Sequence, residues 1–174
     1  MSGASGPGHD DLPETSSKRI LLCFDGSDDA VNAIAAASEL LSSRTATLLT
    51  VWEPAASWGP YDPATALTGG VSRLAAKELG LDEIASDLAR ATMEHGIELA
   101  RKAGYEVTGE IGSGKPWQAI CGCAKKLDAP LIVLGARGLS RVQSVLLGGV
   151  SAAVLAHAKR PVLVIRQPQG SAGQ

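Results

Sequence analysis

Cysteine is scarce. Three in 174 residues are too few, and odd in number, for a disulfide framework. Cys23 falls in an apolar strand pattern. Cys121 and Cys123 stand two apart in a predicted helix, and Cys-Gly-Cys with no His or further Cys nearby leaves two zinc ligands missing. All three read as small buried or half-buried side chains. No apolar run approaches the ~20 residues of a membrane span, and residues 1–17 lack the basic start and apolar centre of a signal peptide. A soluble, cytoplasmic protein is expected. The net charge is −2 with Lys and Arg spread along the chain, so no face is advertised for nucleic acid or an anionic membrane. Catalytic chemistry is equally thin. His9 lies in a polar tail, His95 inside a long helical pattern and His157 near a helix end, and there is neither a Gly-x-Ser-x-Gly elbow nor a His-x-x-x-His pair. No catalytic residue and no metal site is assigned.

What is present is a strict alternation of short β-rich runs with longer helical ones. Residues 1–17 and 167–174 are rich in Gly, Ser and Pro, with too little apolar surface to offset the entropy of ordering them, and are expected to be flexible tails. Residues 18–166 are long enough for one domain and too short for two. Strands are predicted at Arg19 to Phe24, Thr45 to Trp52, Tyr105 to Ile111, Leu131 to Leu134 and Pro161 to Arg166. Helices are predicted at Asp28 to Leu41 behind an N-cap Ser27, Ser72 to Ala103 with a break near Gly80, Lys115 to Leu127, and Val150 to Ala158. A long loop, Glu53 to Gly70, separates the second strand from its helix. Such alternation indicates parallel βαβ units with right-handed crossovers, and a ligand outside the carboxyl ends of the strands.

One stretch carries the strongest signal, LIVLGARGLSRVQSVLLGGVS from Leu131 to Ser151. The strand ending at Leu134 and Gly135 opens a loop with Gly138, then Gly148 and Gly149, and an alanine-rich helix begins at Val150 and Ser151. Residues without a Cβ let backbone N–H groups approach a ligand, and a helix N-terminus adds unpaired donors and the positive end of a dipole. This is an anion cradle, to which the Ser151 hydroxyl adds a further polar group. Arg137 and Arg141 in the loop could fork onto phosphate oxygens. Asp25, at the mouth of the first strand, could accept from a ribose or hold a divalent ion beside phosphates.

Two other nucleotide signatures fail. Gly109 to Lys115 (GEIGSGK) satisfies most of a P-loop, but Pro116 replaces the metal-binding hydroxyl and Gly109 falls inside the third strand, so the run is read as a helix start with Pro at its first position. The turn after the first strand, Asp-Gly-Ser-Asp-Asp, is not a dinucleotide fingerprint, and NAD is disfavoured.

The spacing Gly135-x2-Gly138-x9-Gly148, with the early Asp25-Gly-Ser and the closing Pro-Val-Leu-Val-Ile-Arg, resembles the ATP-binding members of the universal stress protein family over Arg19 to Arg166. Gly149 departs from the pattern, standing where that family has Ser or Thr. The resemblance implies a single Rossmann-like α/β domain of the adenine nucleotide alpha hydrolase type, a five-stranded parallel sheet of order 3-2-1-4-5 with helices on both faces. It further implies ATP as cofactor, with Mg²⁺ accompanying it, and a backbone hydrogen bond from Val51 to adenine. The expected ligand residues are then Asp25, Val51, Leu134, Gly135, Arg137, Gly138, Gly148, Gly149, Val150 and Ser151. In that order the fifth strand is an edge with no charge between Pro161 and Ile165 to discourage pairing, so a homodimer across 161–166 is expected. Two rivals remain: a dimeric scaffold that binds no nucleotide, and a slow ATP-using enzyme.

Overall fold

The computed structural model describes residues 18–54, 78–136 and 147–166. Both expected tails, most of the long loop, and Arg137, Gly138 and Arg141 lie outside the described residues. The described elements are β1 (Ile20–Cys23), α1 (Asp28–Leu40), β2 (Thr45–Trp52), α2 (Leu81–Lys102), β3 (Glu106–Ser113), α3 (Pro116–Lys126), β4 (Ile132–Gly135), α4 (Gly149–His157) and β5 (Val162–Ile165). The strands form one sheet of order β3-β2-β1-β4-β5, parallel throughout. β1 sits at its centre, between β2 and β4, so the order reverses there and the crevice beyond β1 is the switch point.

Local chemistry explains the helix boundaries. The Ser27 hydroxyl accepts from the Ala30 N–H and caps α1, whose first turn carries Asp28 and Asp29 against the dipole. Gly80, in the left-handed region at φ 63°, sets the start of α2 where the sequence suggested a break. Pro116 opens α3, and Lys125 and Lys126 close it.

The strands alternate their side chains between two cores. Ile20, Leu22 and Phe24 turn toward α1 and α2, packing on Ala33, Ile34 and Ala37. Leu21, Leu49, Ile132 and Leu134 turn toward α3 and α4, meeting Ile120, Ala124 and Val154. With both faces covered, the central strands β1 and β4 are continuously apolar. Gly96 lets α2 lie flat on the sheet, since a Cβ there would stand 2.6 Å from the Phe24 ring.

Most boundaries shift by a residue or two from expectation, and those of β1, β3 and α4 bear on the site. β1 pairs only from Ile20 to Cys23, because the ladder makes its last bond from the Phe24 N–H to the Leu49 carbonyl. β3 begins at Glu106 and runs on to Ser113, since Gly112 and Ser113 pair with Val51 and Trp52. Tyr105 instead enters the core at 4% exposure, with no hydrogen-bond partner for its hydroxyl among the described residues, and burial pushes its pKa up. α4 starts one residue early, at Gly149. No described helix is long and apolar enough to cross a membrane.

Candidate functional site

A cavity of about 210 Å³ opens at the carboxyl ends of β1, β2 and β4. Eight of the ten residues singled out from the sequence line it: Asp25, Val51, Leu134, Gly135, Gly148, Gly149, Val150 and Ser151. The other two, Arg137 and Gly138, lie outside the described residues.

At one end stands Asp25, just past β1. Its Oδ1 accepts from the Ser27 N–H (3.0 Å) and the Ser27 hydroxyl (2.6 Å), which fixes the carboxylate at the mouth. Ser27 thus caps α1 and orients Asp25 together. Beside it the backbone of β2 is exposed. Arg44 and Trp52 present their carbonyls to the β3 side, where they accept from Glu106 and Gly114, while Leu49 presents its carbonyl to the β1 side, where it accepts from Phe24. By this alternation both the N–H and the C=O of Val51 point toward β1, beyond the last β1 pair, Cys23 with Leu49. A donor and an acceptor on one residue therefore face the crevice.

At the other end is the start of α4. Gly148 is its N-cap and makes no side-chain cap bond; its N–H donates to the Ala136 carbonyl at 2.7 Å. The next three N–H groups, of Gly149, Val150 and Ser151, belong to the first turn, where no helical carbonyl serves them. Together with the dipole they make this end suited to an anion.

The glycines prove to have different tasks. A Cβ on Gly135 would lie 2.7 Å from the backbone carbon of Asp29, so this glycine lets β4 press against the first turn of α1. A Cβ on Gly149 meets nothing within 4 Å. The Ser151 hydroxyl also differs from expectation: it is 4% exposed and donates its proton to the Gly135 carbonyl at 2.8 Å, so only its backbone N–H is left for an anion.

Sequence reasoning missed the wall between the two ends. Cys23, Leu49, Pro116 and Ile120 line it and make it apolar. The signal was the alternation itself, because Cys23, Leu49 and Val51 share the face that Leu21 buries. Burial pushes the Cys23 thiol far above its ordinary range, with Cys123, Cys121 and Asp25 adding to the shift. Cys23 is thus a neutral wall residue. Among the described residues no three His, Cys, Asp or Glu side chains stand close enough to hold a metal ion by themselves.

This is a doubly wound α/β domain with a cavity at its strand-order reversal and a helix N-terminus opening into it. The chain belongs to the universal stress protein family, whose model matches residues 16–166. It is 31% identical to a universal stress protein of Thermus aquaticus, over 86% of this chain and 98% of that protein. It is likewise 31% identical to the universal stress protein YxiE of Bacillus subtilis, over 85% and 98%. Among solved structures it resembles UspA from Lactobacillus plantarum, with a TM-score of 0.59, 27% identity and coverage of 86% and 98%. Its fold is also that of a universal stress protein solved in complex with cAMP (TM-score 0.55, 22% identity, coverage 86% and 97%). A protein from Archaeoglobus fulgidus in complex with dAMP shares the same fold (TM-score 0.53, 22% identity, coverage 84% and 96%).

Proposed function

We propose that this chain binds an adenine nucleotide, ATP, in the crevice beyond β1 and acts as a cytoplasmic, dimeric stress-response module that signals through occupancy. The observation that carries the reading is one cavity that holds Val51 and Asp25 at one end and the first-turn N–H groups of α4 at the other. Adenine offers a ring nitrogen that accepts beside an amino group that donates. The N–H and C=O of Val51 match that pair, the apolar wall of Cys23, Leu49 and Ile120 suits the ring faces, and the α4 N-terminus suits phosphates. The cAMP and dAMP complexes of structural relatives support the same class of ligand.

Mg²⁺ fits as a companion of the phosphates and not as a resident of the protein. Mg²⁺ keeps several waters and takes one or two carboxylates plus phosphate oxygens, and among the described residues Asp25 is the carboxylate in the cavity wall. The dimer is read from β5. Pro161 and Ile165 turn their carbonyls to β4, accepting from Ile132 and Ala136, so Val162 and Val164 turn their backbone groups outward along an uncharged edge.

The scaffold reading draws on Gly149, which lacks the family hydroxyl, and on the Ser151 hydroxyl being engaged by Gly135. The test is mass spectrometry of small molecules released on denaturing protein purified natively, followed by calorimetry with ATP. ATP in the released fraction and a micromolar dissociation constant are expected. No nucleotide and no heat at millimolar ATP would leave the scaffold; AMP with a transferred group would mark an enzyme.

A further inference from the structure

The crevice exists because β1 stops pairing while β2 continues, and one side chain sits at that divergence. Phe24 still donates its N–H to the Leu49 carbonyl at 2.9 Å, as the next rung of a parallel ladder should. The rung after it would send the Val51 N–H to the Phe24 carbonyl. That bond is not made. The Phe24 carbonyl accepts instead from the Thr50 hydroxyl, at 2.9 Å, and Thr50 is 3% exposed.

We infer that Thr50 is a positioning residue of the base pocket: its hydroxyl takes the carbonyl that would otherwise consume the Val51 N–H, and so spares that N–H for a ligand. The inference rests on the nucleotide reading for the ligand, but the strand geometry stands without it. A buried carbonyl needs a donor, and near Phe24 the candidates are the Thr50 hydroxyl and the Val51 amide. With the hydroxyl present, the carbonyl is satisfied from the side chain. Without it, the backbone has every reason to close the rung, and the donor half of the Val51 pair is withdrawn from the cavity. The identity of residue 50, whose side chain lies on the opposite face of the sheet from Val51, would then decide whether β2 can read a base.

Thr50→Val keeps the volume and removes the hydroxyl; Thr50→Ser restores it. Amide hydrogen exchange of Val51, followed by NMR in protein without ligand, should slow at least about tenfold in T50V, as for an amide newly bonded inside a sheet, and stay at the wild-type rate in T50S. ATP binding by calorimetry should weaken about tenfold in T50V, with the preference for ATP over GTP reduced, and recover in T50S. A Val51 amide equally exposed in all three proteins overturns the inference, as does a slowed amide with ATP affinity unchanged. A wild type that binds no ATP overturns the nucleotide reading instead, and the exchange rates then still decide the hold of Thr50 on the strand.

Discussion

The hydroxyl of Ser151, in the first turn of α4, donates to the carbonyl of Gly135 at the end of β4, 2.8 Å away and buried. The bond ties the start of α4 to the end of β4, from which residues 137–147 depart. Ser151→Ala removes the donor and leaves a buried carbonyl without it, at a cost of about 1 kcal/mol. A domain of this size should then melt about 2–4 °C lower. ATP affinity should fall as well, because the helix start loses its anchor. Calorimetric melting and titration of the same sample check both; an unchanged melting temperature would show that the bond contributes nothing net.

Two glycine substitutions should separate ligand chemistry from packing. Gly149→Ser finds open space around its Cβ and restores a hydroxyl at the phosphate end, so ATP should bind about ten- to a hundredfold tighter with stability nearly unchanged. Gly135→Ala drives a methyl against the backbone of Asp29 and should cost about 1–3 kcal/mol of stability. Urea midpoints distinguish the two: equal destabilisation by both would mean that Gly149 is as crowded as Gly135.

The edge of β5 can be blocked without touching its bonds to β4. The backbone of Val164 faces outward, so Val164→Pro removes a donor that β4 never uses. Light scattering at micromolar concentration should show dimer for the wild type and monomer for V164P. A dimeric V164P places the interface elsewhere.

Asp128 joins Lys18, at 2.6 Å, and Arg160 at the amino ends of β1, β4 and β5, the opposite end of the strands from the cavity, and those two hydrogen bonds hold its carboxyl below the usual carboxylate range. A depressed folded pKa contributes stability that is full above the unfolded value, near 3.9, and is lost as pH falls through the folded one. Asp128 also sits at φ 48°, a conformation Asn tolerates, so Asp128→Asn removes charge with little backbone strain. The urea midpoint of D128N should lie below that of the wild type at pH 7, and the gap should close as pH drops below about 4. A gap independent of pH would assign the effect to something other than the charge.

Much of this was readable in advance, for identifiable reasons. The order of elements followed from apolar runs that switch between strand and helix periods, and Ser27, Gly80 and Pro116 marked boundaries because each has one physical use at its position. GEIGSGK was correctly refused as a P-loop, since Gly109 lies within β3. The limits lay where meaning depends on a neighbour distant in sequence. Gly135 looks like a ligand glycine until Asp29 is brought against it. Gly112 and Ser113 look like a turn until Val51 and Trp52 pair with them. Thr50 reads as an ordinary strand residue, because the divergence of β1 that gives its hydroxyl a task is invisible in either segment alone.

The bond from the Gly148 N–H to the Ala136 carbonyl brings the chain back, after residues 137–147, to the point where it left the sheet. The helix takes its aim from that knot and from the bond of Ser151 to Gly135. The donors of α4 are thus mounted on β4 itself, so whatever shifts the end of that strand swings them with it.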